Sequence, residues 1–238
     1  MKALILNSGL GSRMGVLTQE HPKCMTEIRP GETIVSRQLR MLSSVGIREI
    51  VMTTGVFAEV LQEYCEGLGL PVRITYVLNT RCRETNYIYS IYCARSELED
   101  DILLMHGDLV FTRDILEEML ASDVSCMAVS STAALPEKDF KALVDGKLIR
   151  KVGIEFFDSA AAAQPLYFLR KKDWIKWLEK IVEFCEAGKT GVYAENALNE
   201  LNGAAGITAL DVRDRLCAEI DNTEDLERIR RAVAMEGD

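Results

Sequence analysis

Short apolar runs alternate with longer segments of mixed polarity through the first half of the chain. Continuous apolar runs such as residues 3–6 are typical of strands buried on both faces. The segment 34–45 instead spaces its apolar residues at helical intervals and is followed by Gly46, a common helix stop. The pattern predicts strands over residues 3–6, 49–53, 72–77, 102–105 and 125–129. It predicts helices over residues 34–45, 57–65, 88–94 and 115–120.

This alternation of strands and helices predicts a doubly wound, Rossmann-like α/β fold with right-handed crossovers. In such folds, ligands collect at the carboxyl ends of the strands. The residues that follow the predicted strands are therefore the candidates for a binding site.

The second half of the chain is less regular. Asp145 and Gly146 predict a turn between residues 142–144 and 147–152, and therefore a hairpin. Asn222 and the acidic residues after it predict the start of a final helix. The remaining predicted elements are a strand over 166–169, helices over 173–185 and 194–201, and extended segments over 206–210 and 217–220. No repeat, linker or domain boundary stands out, so we expect residues 1–238 to form one domain.

Composition narrows the class of protein. The chain has 238 residues and a net charge of -9, with 48% apolar and 27% charged residues. An acidic chain is a poor candidate for wrapping nucleic acid, which requires a basic face. The cysteines number seven and include no CxxC pair, which predicts neither a disulfide framework nor a zinc site. The first apolar run is too short for a signal peptide and no window could span a membrane, so we expect a cytoplasmic protein.

A glycine-rich segment from residue 7 to residue 15 follows the first strand. Gly9 and Gly11 allow backbone N–H groups to point at an anion, and Arg13 adds charge-assisted hydrogen bonds to phosphate. The alternative to phosphate binding is that the glycines only allow a tight turn of the backbone. No Gly-Lys pair follows, which excludes a Walker-type loop, and Met14 stands where a dinucleotide fingerprint needs its third glycine.

Three motifs together resemble one family. The segment 7–15 with His21-Pro22-Lys23 is similar to the sugar-phosphate and choline-phosphate nucleotidyltransferases. Residues 79–90 resemble the Asn-x-x-Tyr-x-x-x-Asn-Asn-Ile-Tyr-Ser segment of bacterial phosphocholine cytidylyltransferases, with Cys82 and Tyr87 as departures. Glu219-Ile220-Asp221 matches the closing motif of that subgroup, and the relatives that activate 2-aminoethylphosphonate share the same frame.

The resemblance implies a mixed α/β nucleotidyltransferase fold with a small acceptor-binding lobe. It also implies CTP and Mg²⁺ as ligands, with Asp108, Glu219 and Asp221 holding the metal. Alone, Asp108 is equally well read as a turn or capping residue, and the other two as a solvated pair. Residues 1–130 would bind the nucleotide and 131–238 the acceptor, with 219–221 returning to the metal.

Nucleotidyl transfer needs positioning and charge neutralisation more than a protein nucleophile. Arg13 would hold the departing pyrophosphate, and Lys23 would lie over the α-phosphate and the acceptor. His21 and His106 are interpreted as structural residues, and Asn79 is equally credible as a turn residue. The residues expected to contact the nucleotide are Leu6, Asn7, Ser8, Gly9, Gly11, Arg13, Gly55, Asn79 and Ser90.

The acceptor is expected to contact Lys23, Tyr167, Tyr193 and Glu195. Choline requires an aromatic cage, but the Tyr-Trp-acidic segment of the phosphocholine enzymes is Tyr193-Ala194-Glu195 here. A primary ammonium would prefer a carboxylate such as Glu195, which modestly favours 2-aminoethylphosphonate over phosphocholine.

Two alternatives remain open at this stage. One is a sugar-1-phosphate nucleotidyltransferase that uses UTP or dTTP. The other is a nucleotide-sensing domain without catalysis. The sequence also leaves open whether the chain forms a homodimer.

Overall fold

The computed structural model describes residues 1–236 and contains a central sheet with helices on both faces. The strands are β1 Lys2–Asn7, β2 Glu27–Arg29, β3 Glu32–Thr33, β4 Glu49–Thr54, β5 Arg73–Leu78, β6 Ile102–His106, β7 Leu109–Phe111, β8 Cys126–Ser130, β9 Lys141–Asp145, β10 Leu148–Gly153, β11 Ala160–Leu169, β12 Thr208–Asp211 and β13 Cys217–Glu219. The α-helices are α1 Ile34–Ser44, α2 Ala58–Gly67, α3 Tyr87–Ala94, α4 Arg113–Leu120, α5 Lys171–Glu186, α6 Ala194–Glu200 and α7 Thr223–Met235.

Nine strands form the central sheet in the order β5-β4-β1-β6-β11-β8-β12-β10-β9. The pairs β4–β5, β1–β4 and β1–β6 are parallel, whereas β11 is antiparallel to both β6 and β8. The sheet is therefore mixed. The carboxyl ends of β1, β4, β5 and β6 lie along one edge, where the chain leaves each strand to enter a loop.

The core lies in two layers, one on each face of the sheet. Alternation along β1 shows the division, since Leu4 joins one buried cluster while Ala3 and Ile5 join the other. Helices α3, α5 and α6 cover the first face, and α1, α2 and α4 cover the second. No helix within residues 1–236 is both long and apolar enough to cross a bilayer.

The last part of the chain returns to the carboxyl edge of the sheet. Strand β13 pairs with β7, and the amide of Ile220 donates to the carbonyl of Asp108 at 3.1 Å. Helix α7 then packs through Leu226, Ile229 and Val233 in a third buried cluster. This return places residues 219–221 beside the loop that follows β6.

The predicted strands and helices of the first half are confirmed to within about two residues, as are the hairpin β9–β10 and the final helix. Strand β11 begins at Ala160, whereas the sequence predicted its start at residue 166. The first six residues of the strand were missed because the four alanines before Gln164-Pro165 show no clear strand pattern. The short strands β2, β3 and β7 were not predicted from the pattern. Pieces of two or three residues are too short to show a period.

Candidate active site

A cavity of about 770 Å³ opens at the carboxyl edge of the sheet. Its walls come from five stretches of chain that are distant in sequence. They are residues 6–13, 22–24, 79–90, 106–108 and 219–221, with residues 137–140, Ile154 and Tyr193 closing the far side. The cavity therefore lies where ligands bind in open α/β sheets.

The glycine turn begins where β1 ends. Gly11 adopts a φ of 62°, a left-handed conformation that favours glycine. Asn7 and Ser8 are buried residues that line the cavity. The side-chain nitrogen Nδ2 of Asn7 and the hydroxyl of Ser8 have no hydrogen-bond partner within residues 1–236. Buried polar groups are normally paired, so these two atoms are free to bond to polar groups of a molecule in the cavity.

The turn also depends on a glycine in the neighbouring loop. A Cβ at Gly107 would lie 1.6 Å from the side-chain oxygen Oδ1 of Asn7 and 2.8 Å from the backbone oxygen of Leu6. Any larger residue would therefore displace the Asn7 side chain from the cavity wall.

Lys23 lies at the centre of the charged groups. Its ammonium donates to Asp108 at 2.5 Å and to Asp221 at 2.9 Å, and Arg13 donates to the same Asp221 oxygen at 2.8 Å. Burial lowers the pKa of Lys23, but the Asp108 and Asp221 carboxylates more than offset it and raise that pKa. Burial likewise raises the pKa of Asp108, yet Lys23 and His106 hold it below its usual range.

His106 and Glu219 form a second pair in the same wall. The imidazole Nδ1 is hydrogen-bonded to a Glu219 oxygen at 2.9 Å, while its Nε2 is buried without a partner among the described residues. Burial lowers the pKa of His106, but the bond to Glu219 and the nearby carboxylates raise it to about 9. Burial and Asp108 raise the pKa of Glu219 to about 7. His106, which the sequence analysis interpreted as a structural residue, thus also lines the cavity.

The donor set suits a divalent cation. Ligand atoms of His106, Asp108 and Glu219 lie within 4.8 Å of one another, and Asp221 is joined to Asp108 through Lys23. Carboxylate oxygens are the ligands that hard cations such as Mg²⁺ prefer. The carboxylates that the sequence pointed to are thus brought together beside the glycine turn.

Asn79 lines the cavity, but its amide serves its own loop. The amide nitrogen donates to Ser90 at 3.0 Å and to Thr85 at 3.2 Å, and the amide oxygen accepts from the Arg81 backbone at 2.9 Å. Ser90 also lies in the wall. Asn79 therefore organises the loop that forms this side of the cavity, as a turn residue would.

Gly55 supports the wall without forming it. A Cβ there would lie 2.5 Å from the backbone oxygen of Ser8 and 3.1 Å from the sulfur of Cys82. Glycine at this position lets the loop after β4 approach the glycine turn closely.

Glu195 lies outside the wall of the large cavity, in the wall of a second cavity of about 380 Å³. Only 1% of its surface is exposed. It accepts a hydrogen bond from the Tyr167 hydroxyl at 2.8 Å and another from the Tyr87 hydroxyl. Tyr167 is itself buried and lies outside both cavity walls, so the expectation that it contacts a ligand directly is not met.

Aromatic rings connect the two cavities. Tyr193 lines both, and its ring centroid lies 4.9 Å from that of Phe140 and 5.9 Å from that of Tyr87. Tyr87 packs edge-on against His106 at 4.7 Å. Neither Tyr87 nor Phe140 was singled out as a site residue from the sequence. Tyr87 was noted only as a departure from the family motif.

The mixed sheet brings a glycine turn, two cationic side chains and clustered carboxylates to its carboxyl edge, and the sequence match assigns this arrangement to the nucleotidyltransferase class of α/β proteins. The chain belongs to the family of MobA-like NTP transferase domains, whose family model matches residues 3–196.

Relatives of known name are similar to part of the chain or to nearly all of it. The CMP-5'-(3-aminopropyl)phosphonate synthase of Streptomyces rubellomurinus is 31% identical over 72% of this chain, and the CTP:phosphoglutamine cytidylyltransferase of Campylobacter jejuni is 29% identical over 50%. The matches span only 28% and 48% of those proteins. The choline-phosphate cytidylyltransferase of Streptococcus pneumoniae is 20% identical and matches 99% of this chain and 100% of its own length.

Solved structures confirm the predicted fold. The CTP:phosphocholine cytidylyltransferase of Streptococcus pneumoniae superposes with a TM-score of 0.76 at 20% identity, covering 98% of both chains. The inositol-1-phosphate CTP transferase of T. maritima gives a TM-score of 0.78 at 20% identity, covering 100% of this chain and 97% of its own.

Proposed function

We propose that the chain is a magnesium-dependent cytidylyltransferase that transfers CMP from CTP to a small phosphonate or phosphate acceptor and releases pyrophosphate. The observation that carries this proposal is the meeting of Lys23, Arg13, Asp108 and Asp221 in one cavity beside the glycine turn. The names of three relatives, each a CMP-transferring or CTP-using enzyme, support the choice of nucleotide.

The charged groups match the needs of this reaction. An oxygen of the acceptor attacks the α-phosphorus of CTP, a new P–O bond forms, and the bond to the bridging oxygen of pyrophosphate breaks. Two anions must approach each other, so cationic groups have to offset their repulsion. Lys23 would lie between the α-phosphate and the acceptor, and Arg13 would hold the leaving pyrophosphate.

The carboxylates complete the site. Asp108, Asp221 and Glu219 would hold Mg²⁺, which supplies positive charge opposite the triphosphate when it is bound. The unpartnered Asn7 and Ser8 side chains would meet polar groups of the nucleoside, with the Asn79 loop against the base. In this assignment residues 1–130 bind the nucleotide, and 131–238 bind the acceptor and return residues 219–221 to the metal.

The acceptor end favours an ammonium group. Glu195 is buried, receives two phenolic hydrogen bonds and forms no ion pair within residues 1–236. A buried carboxylate without a cationic partner is costly, and a primary ammonium would both pair with it and donate hydrogen bonds. This favours 2-aminoethylphosphonate over phosphocholine, whose quaternary ammonium cannot donate.

The test is pyrophosphate release from each of the four NTPs in the presence of 2-aminoethylphosphonate, phosphocholine or glucose 1-phosphate. We expect release with CTP and 2-aminoethylphosphonate, and a CMP-phosphonate product by ³¹P NMR. Release only with UTP or dTTP and the sugar phosphate would establish the sugar nucleotidyltransferase alternative. No release with any pair would support the sensing domain.

A matched pair of variants tests the assigned carboxylates. Asp108→Asn should lower turnover by about 10³-fold, because the change removes a charged oxygen from the metal site and from Lys23. Asp145→Asn makes the same change at the exposed β9–β10 turn and should leave turnover unchanged. Near-normal turnover of Asp108→Asn would overturn the assignment.

A further inference from the structure

Lys141 is a fully buried lysine that the proposed reaction does not use. It is the first residue of β9, and its relative exposure is 0%. Its ammonium donates to the backbone carbonyl of Ile154 at 2.9 Å and to that of Glu137 at 3.2 Å, and lies 4.1 Å from the centroid of the Phe157 ring. It forms no ion pair within the described residues.

A buried ammonium needs compensation, because it loses its hydration shell. Here two carbonyl dipoles and one aromatic face supply it. An apolar side chain such as methionine would fill the same space without that cost. The ammonium therefore adds something that packing does not, namely a bridge between the two carbonyl groups.

The two carbonyl groups belong to different segments at the acceptor end of the cavity. Glu137 lies in the segment 131–140 between β8 and β9, and Ile154 lies in the segment 154–159 between β10 and β11. Residues 137–140 and Ile154 line the large cavity, and Phe140 and Ile154 also line the small one. Both segments thus form part of the wall that would face the acceptor.

We propose that Lys141 is a positioning residue that fastens segment 131–140 to segment 154–159 and so shapes the acceptor end of the cavity. It acts through Phe140 and Ile154 and has no contact with substrate. The link to the acceptor rests on the proposed function, whereas the fastening itself does not.

Limited proteolysis tests the fastening without reference to activity. Each segment carries an exposed glutamate, Glu137 and Glu155, at which a glutamyl endopeptidase can cleave once the segment opens. Lys141→Met should speed cleavage after both residues about tenfold, because two carbonyl groups lose their donor. Lys147→Met makes the same change at an exposed position of the same hairpin and should match the wild type.

A second variant covers the possibility that Lys141→Met does not fold. Phe157 is 46% exposed, so Phe157→Leu removes the ring over the ammonium at little risk to the core. We expect cleavage after Glu137 and Glu155 to rise about threefold in this variant. Wild-type cleavage rates in both variants would overturn the proposal.

Steady-state kinetics test the consequence for the acceptor. In Lys141→Met the KM for the acceptor should rise about tenfold, while kcat and the KM for CTP stay within about twofold of the wild type. A general loss of stability would instead lower kcat and affect both substrates. Faster cleavage with an unchanged acceptor KM would overturn the positioning role. A wild-type protein inactive with every acceptor would refute the proposed function, and proteolysis would still decide the fastening.

Discussion

Lys23 is a single side chain that holds two of the carboxylates of the site together. Its ammonium is bonded to Asp108 and Asp221, the carboxylates that are proposed to hold the metal. Arg13 is bonded to one of the same carboxylates. The cations proposed for phosphate and the carboxylates proposed for metal therefore neutralise each other. Under the proposed function, binding of magnesium and nucleotide would require these groups to exchange partners.

This exchange makes Lys23 a competitor of the metal. In Lys23→Met we expect Mn²⁺, a spectroscopic substitute for Mg²⁺, to bind about tenfold more tightly without nucleotide, because two carboxylates lose a bound cation. Turnover should nevertheless fall by about 10²-fold or more, since the acceptor and α-phosphate lose their shared positive charge. An EPR titration of free Mn²⁺ measures the first effect and pyrophosphate release the second.

The control for this experiment is Lys172→Met. It removes the same charge from an exposed position in the first turn of α5 and should leave Mn²⁺ affinity unchanged. Mn²⁺ affinity in Lys23→Met equal to that of the control would mean that the ammonium does not compete with the metal.

The sequence identified charged residues that line the cavity, but it did not identify which side chains contact each other. Arg13 was identified in the turn after the first strand, Lys23 in the family motif, and Asp108 after an apolar strand and a glycine. The structure places all three in one cavity wall. The hydrogen bonds of Glu195 to Tyr87 and Tyr167 were not predictable. Those side chains come from three separate elements, and no local pattern reports such a contact.

At the scale of elements, the close contact between the loops after β1 and β4 is specific to glycine. A Cβ at Gly55 would lie 2.5 Å from the Ser8 backbone oxygen, which cannot move without shifting the glycine turn. We expect Gly55→Ala to raise the KM for CTP about tenfold and to destabilise the protein by about 1–3 kcal/mol. Nucleotide titration and urea unfolding measure the two effects.

Gly67→Ala provides the matched control. Apart from its chain neighbours and the nearby backbone of its own helix, nothing described lies within 4 Å of a Cβ at Gly67, the last residue of α2, so alanine fits there. Alanine also favours the helix, and the free energy of unfolding should stay equal or rise slightly. Similar losses in both variants would show that close contact is not the cause.

Element positions follow from local periodicity, whereas sheet order does not. Strands β1, β4 and β6 were located within two residues because their apolar runs are continuous. The insertion of β11 between β6 and β8 depends on contacts between residues far apart in sequence. Local pattern carries no information on such pairing. For β13, the sequence predicted an extended segment over residues 217–220, and the family motif identified the acidic residues there.

At the scale of the whole molecule, the site depends on the return of the chain after β12. Asp221 lies near Asp108, with Lys23 bonded to both, because β13 pairs with β7 and α7 packs behind them. The backbone amide of Asp221 donates to the side chain of Asp225 at 3.1 Å, which ties residues 219–221 to the first turn of α7. The packing of α7 therefore supports the site as well as the fold.

Ile229 is the residue through which this dependence can be measured. It is fully buried in the cluster under α7, so Ile229→Ala should lower the free energy of unfolding by about 2–5 kcal/mol through a cavity. Met235→Ala is the control, because it removes a similar volume from the same helix at a position that is 86% exposed. It should change the free energy of unfolding by less than about 0.5 kcal/mol. Urea unfolding compares the two variants. If α7 holds Asp221 in place, Ile229→Ala should also need more Mg²⁺ for half-maximal turnover below its unfolding transition. Equal unfolding midpoints would mean that α7 is not part of the cooperative core, and the site would then have to hold Asp221 through β13 alone.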